Sequence, residues 1–224
     1  DDVVKYNNKF IFIDGEDDNH IDTKYSNQGL YFKRELLSED HRIKPISFAI
    51  PKSKILKEID YHPKNILAPL IPGRLNTYIY DNEKSYYEMY KKSIFALTYK
   101  KAGWDCLRHY EILMNGCIPL FLDIENCPKN IITTLPKQKL TDSLNEFENI
   151  FSFYNPLKIF KKKHLTFQRM FNLFKFNFQV DNLEKFIEGN ERVFELKNDL
   201  LNFTKKNLTT ETLAKYTLDC FKEQ

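Results

Sequence analysis

The 224-residue chain has no apolar run long enough to cross a bilayer as a helix. Its opening residues, Asp1-Asp2-Val3-Val4, lack the basic and apolar regions of a signal peptide. The expectation from both is a cytoplasmic protein. Cys106, Cys117, Cys127 and Cys220 show no C-x-x-C spacing, and the first three lie on or beside apolar segments, where a free thiol packs as a small hydrophobe. His20, His41, His62 and His164 are not spaced as metal ligands. Zinc is therefore not expected, and the cysteines point to a reducing compartment. There is no internal repeat, no low-complexity tract and little net charge, +3, so composition alone does not predict a nucleic-acid partner.

What is present is enough apolar residue, 42%, for a real core. Short apolar runs at 10–13, 30–32 and 46–50 read as strands, separated by polar turns with Gly15, Gly29 and Pro45. Residues 51–63, with a proline at each end, read as a crossover. Residues 66–70 open a second unit, Pro72-Gly73-Arg74 turns the chain, and 84–92 is a helix with paired tyrosines. Strand and helix alternate, which predicts an α/β fold with parallel strands. After Pro128 helices take over, with 142–150, 183–193 and 210–221 as candidates.

The densest signal runs from 93 to 123, SIFALTYKKAGWDCLRHYEILMNGCIPLFLD. Residues 94–98 read as a buried strand and 118–122 as the next one. Asp105 is suited to cap a helix over 106–115, and Gly116 to end it. That helix would open at a strand's carboxyl edge, where α/β sheets bind ligands and unpaired N–H groups favour an anion. Arg108 and Glu111 lie one turn apart on one face. The alternative for the pair is an ordinary surface ion pair on a helix packed through Leu107, Tyr110 and Met114.

The Gly103 loop, Arg108 with Glu111, and Gly116-Cys117-Ile118-Pro119 together resemble the donor-binding segment of exostosin-like and related viral or bacterial glycosyltransferases of GT-B architecture. A weaker likeness covers residues 12–17 and 31–35, and the resemblance fades after about Pro128. It implies a Rossmann-like parallel sheet with helices on both faces, an incomplete N-terminal half and a helical C-terminal section. Residues 1–60 would then close an acceptor-side domain and 61–224 would form the nucleotide-sugar-binding domain. It also implies metal-independent, inverting transfer from a nucleoside diphosphate sugar to a glycan or other hydroxyl acceptor, with no cofactor. Glu111 would take the ribose hydroxyls and Arg108 would lie near the diphosphate.

Asp14, Glu16, Asp17 and Asp18 follow a strand directly, so one of the first three is a candidate base for the acceptor hydroxyl. The alternatives are a solvated acidic turn, or an Asp14–Glu16 metal pair. Lys33 and Arg34, beside Arg74 and Arg108, are candidates to neutralise the leaving diphosphate, the alternative being an exposed strand end paired with Glu35 and Glu39, and Lys101, Gly103, Trp104 and Asp105 complete the donor-binding set. Trp104 could stack on the donor or plug the core beneath its loop. His109 reads as a packed or solvated side chain. Residues 157–178 combine six basic residues with many apolar ones and no acid, a pattern for peripheral membrane contact or for core packing with a basic flank. Two other readings compete: a noncatalytic nucleotide-sugar-binding subunit, and a basic module for membranes or nucleic acid.

Overall fold

A computed structural model of the chain describes residues 10–154 and 189–223. Among these residues six strands form two three-stranded parallel sheets, β1 (Ile11–Asp14), β2 (Leu30–Lys33) and β3 (Ile43–Pro45), then β4 (Asn65–Leu67), β5 (Ser93–Tyr99) and β6 (Ile118–Leu122). Each sheet keeps its strands in chain order. The helices are α1 (Thr23–Ser26), α2 (Glu83–Lys91), α3 (Leu107–Met114), α4 (Lys137–Tyr154), α5 (Glu191–Asn207) and α6 (Thr210–Lys222). The architecture is α/β, as the alternation predicts.

In the second sheet β5 is a central strand with its first six residues buried, which explains its unbroken apolar reading. Ala96 packs on one face with Met89 and Tyr90 of α2 and Ile112 of α3. On the other, the Phe95 ring meets Phe147 of α4 edge-on at 5.1 Å. The helices therefore cover both faces. Gly116 stops α3 in a left-handed conformation, φ 66°, that a side chain would strain.

The first sheet is smaller. Its one face, Leu30, Phe32 and Ile46, is covered by Leu213, Cys220 and Phe221 of α6. Its other face packs Tyr31, Leu36 and Ile43 on Phe12, Ile21 and Tyr25. The final helix thus returns to the strands formed by the first 45 residues. The return is pinned by a parallel bridge between Ile50 and Thr209 and by Tyr216 Oη donating to the Pro45 carbonyl at 3.0 Å.

Three expected elements are corrected. The third strand is 43–45 and not 46–50: Tyr31 pairs with Ile43, Ile46 N–H still donates to the Lys33 carbonyl at 3.1 Å, and beyond it the chain is drawn off to other partners. Phe48 N–H donates to Asp105 at 2.8 Å, and Ile50 bridges Thr209. The helix expected at 183–193 begins at Glu191 and runs to Asn207, and positions 183–188 lie outside the described residues. Cys106, not Asp105, occupies the N-cap position of α3. No helix among the described residues is long and apolar enough to cross a membrane. The basic segment 157–178 lies outside the described residues.

Candidate functional site

The carboxyl edge of the second sheet is built by the end of β5, the segment after β4 and the start of α3. Cys106 gives α3 no side-chain cap, so its first N–H groups are not closed off by the usual oxygen. Arg108 rises from the first turn. Its Nη2 reaches Tyr78 Oη at 3.3 Å, and the Tyr78 ring lies 5.9 Å from the guanidinium carbon. Its Nε and Nη1 are buried and have no hydrogen-bond partner among the described residues. A half-buried guanidinium with two buried, unanswered nitrogens is costly unless something supplies acceptors.

Glu111, one turn on, does not pair with Arg108. Its Oε2 accepts from Tyr86 Oη at 2.9 Å, and Tyr86 Oη lies 3.2 Å from Tyr90 Oη. Burial raises the Glu111 carboxyl, against the lowering effects of the Tyr86 bond and the Arg108 charge. Burial likewise pushes the Tyr86 phenol up to about 12. Each of the two side chains thus takes a tyrosine hydroxyl as its partner, Tyr78 for Arg108 and Tyr86 for Glu111. Tyr78, Tyr86 and Tyr90 were not among the sequence candidates. The doubled tyrosines in the helix before β5 were the visible signal.

The carboxyl edge of the first sheet is of the opposite kind. Lys33, its side chain fully buried, sits 2.9 Å from Asp14 Oδ2 and 3.2 Å from Asp18 Oδ1. Tyr31 Oη donates to Asp14 Oδ2 at 2.5 Å. Burial pushes the Asp14 carboxyl up, and the Tyr31 and Lys33 bonds more than reverse that, leaving it below its ordinary value. Arg34 donates to the Gly15 carbonyl from Nε at 2.9 Å and Nη2 at 2.7 Å, and to the Asp105 carbonyl from Nη1 at 2.5 Å. It also pairs with Asp17 and stacks over Phe48 at 4.7 Å. Lys33 and Arg34 are thus consumed by the acidic turn and are not free to meet a diphosphate. Asp14 and Asp17 are tied in the same way. Of the three candidate bases only Glu16 has a side chain without a bond or ion pair among the described residues; its N–H closes an Asx turn on Asp14 at 3.0 Å.

The loop before α3 joins the two edges. Asp105 N–H donates to Glu35 Oε1 at 2.8 Å, and the Asp105 carboxylate accepts from Phe48 N–H and from Tyr110 Oη at 2.8 Å. Burial raises that carboxyl to about 6. It is an internal brace, which corrects its expected place among the donor contacts. Gly103 is a packing requirement: a Cβ there would lie 2.5 Å from Glu35 Oε1 and 3.1 Å from Asp17 Oδ1. Trp104 is half-buried, 6.3 Å from the Phe121 ring with Lys100 Nζ 5.4 Å above it, so of its two readings the structure gives the core plug. His109 is buried. Its Nε2 donates to the Trp104 carbonyl at 2.9 Å, its Nδ1 meets Thr98 Oγ1 at 2.8 Å, and burial lowers it to about 4. Lys101 is exposed on this loop, and Arg74 is exposed on the turn that carries Tyr78.

Of the expected site, then, the structure brings together Arg108 and Glu111, with Arg74 and Lys101 on the segments beside them. It sets Lys33, Arg34 and Asp105 into the framework. No group of His, Cys, Asp and Glu side chains among the described residues could hold a metal ion. No family model, curated protein or solved structure matches the chain.

Proposed function

We propose that the chain is a glycosyltransferase of GT-B type, or its donor-binding part, moving a sugar from a nucleoside diphosphate sugar to a glycan or other hydroxyl acceptor. The observation that carries this reading is Arg108: two buried guanidinium nitrogens find no acceptor among the described residues, beside the uncapped start of a helix at a parallel sheet's carboxyl edge. A diphosphate supplies acceptors of the right charge. Glu111, drawn back by Tyr86, is placed one turn away to accept hydroxyls of the ribose. As the glycosidic bond breaks, negative charge grows on the leaving diphosphate, and Arg108 stabilises it without reorganising. Glu16 is the remaining candidate to take the acceptor proton.

A panel of nucleoside diphosphates and nucleotide sugars, followed by thermal shift on the wild type and Glu111→Ala, tests this. One nucleotide should raise the wild-type Tm and raise the variant's much less. No response in the wild type, or equal responses, would end the proposal. The pairing of Asp14 and Asp17 with Lys33, Tyr31 and Arg34 favours a second reading, a noncatalytic nucleotide-sugar-binding subunit. Sugar release or transfer by the chain alone separates the two.

A further inference from the structure

A hollow of about 510 Å³ runs along β1, a size typical of small-molecule pockets, and none of Arg108, Glu111 or their tyrosine partners lines it. Local chemistry shapes it. Asp22 caps the single turn of α1 by accepting Lys24 N–H at 2.9 Å, and the turn sets Tyr25 against Phe12 with ring centroids 4.6 Å apart. Phe12 pairs in register with Tyr31 on β2, and those rings lie 6.5 Å apart. Tyr31 Oη is fixed in turn, donating to Asp14 and accepting from Asp22 N–H at 3.4 Å. Phe12, Tyr25 and Tyr31 thus give the hollow three aromatic rings.

Acids dominate its walls. Asp14, Glu16, Asp18 and Asp22 line it with His20, and no lysine or arginine among the described residues does. Two ammonium groups lie close by: Lys33 meets Asp14 and Asp18, and Lys24 Nζ is 5.0 Å over the Tyr25 ring. Arg34, the next cation, is paired with Asp17. Four carboxylates against two ammonium groups leave negative charge in surplus, and a charged His20 would not reverse it. The Glu16 carboxylate and Asp22 Oδ2 accept no bond from any described residue, so both are free to meet a ligand. Such walls repel an anion, and these side chains do not form a group that could hold a metal ion. They suit an organic ammonium, whose charge is drawn both to carboxylates and to aromatic ring faces.

We propose that the hollow along β1 binds a small organic cation, an ammonium group on a compact body, with the aromatic rings against the body and Glu16 and Asp22 on the charge. The binding stands on the hollow itself. That its ligand is also the acceptor, a hydroxyl compound bearing an amine, rests on the sugar-transfer reading.

Calorimetric titration of the full chain tests it, with glucosamine against glucose and choline against its neutral carbon isostere. At least one ammonium compound should bind, its neutral counterpart should not, and the binding should weaken as salt is raised. A Glu16→Gln, Asp22→Asn double variant removes two charges and keeps the cap on α1, and it should bind about tenfold less with Tm unchanged. If that variant does not fold, Glu16→Gln alone carries the test with a loss of about threefold. Tyr25→Leu should weaken choline by about threefold, and Glu195→Gln, an exposed acid on α5, should change nothing. The proposal is overturned if neither ammonium compound binds, if the neutral counterparts bind equally, or if the Glu16 and Tyr25 variants bind like wild type. Equal weakening by Glu195→Gln, or magnesium binding that the double variant loses, would overturn it as well. Nucleotide response is read in the same samples, and its absence from the wild type with ammonium binding intact would sink the sugar-transfer reading alone.

Discussion

Two arginines stand at the carboxyl edges of two parallel sheets, and their surroundings are opposite. Arg34 is answered on every side: Gly15 and Asp105 carbonyls, the Asp17 carboxylate, the Phe48 ring. Arg108 has one long bond to Tyr78 and, among the described residues, no acceptor for two buried nitrogens. The lesson is that a cation at a sheet edge is not a ligand group by residue type or place alone. What distinguishes it is whether the folded chain has already satisfied it.

Substitution should expose that contrast most strongly at Arg34. Arg34→Ala removes the tie between the acidic turn and the loop before α3 and leaves Glu35 and the Asp105 carbonyl without it. Urea unfolding should show a loss of about 4 kcal/mol. A loss below roughly 1 kcal/mol, the range of an exposed pair, would mean that the two arginines are equivalent. Arg108→Met should behave in the reverse sense. Its stability should stay within about 1 kcal/mol of wild type or rise, because a half-buried cation with two buried, unanswered nitrogens is replaced by an apolar chain. Nucleotide affinity should fall by about 3 kcal/mol, over a hundredfold, as charge-assisted bonds are lost. Calorimetric titration checks the second effect and chemical unfolding the first.

A smaller effect sharpens the comparison at the joint between the two edges. Asp105 has a folded value near 6, above its ordinary 3.8, so the folded state holds its proton more tightly and stability rises as pH falls through that window. His109 has a folded value near 4, below its ordinary 6.5, so the unfolded state binds the proton more readily and stability falls over nearly the same window. In the wild type the two oppose each other. Between pH 6 and pH 5, Asp105→Asn should therefore lose stability relative to wild type by up to about 1.4 kcal/mol, and His109→Gln should gain. Thermal unfolding at the two pH values measures both, and parallel profiles for all three proteins would refute the assignment.

How much of this was legible in the sequence follows from what each residue answers to. The unbroken apolar run of β5 and the Gly116 stop of α3 are local signals, and both elements stand within a residue or two of expectation. Arg108 and Glu111 were visible as a pair because one helical turn fixes their spacing. The third strand was displaced because Phe48 and Ile50 answer to Asp105 and Thr209, 57 and 159 positions away. For the same reason Asp105 reads locally as a cap and is in fact a brace. The spending of Lys33 and Arg34 on the acidic turn was hidden too: alternating charges look alike whether they meet one another or wait for a ligand.

The path of the last helix has a consequence for synthesis. A ribosome releases the chain from its amino end, so the strands at Leu30 and Phe32 emerge long before the residues that shelter them, Leu213 and Phe221. Until α6 has emerged, one side of that small sheet stays bare. That sheet is thus finished only when α6 has been made, and a chain cut short before α6 should be a substrate for chaperones and proteases.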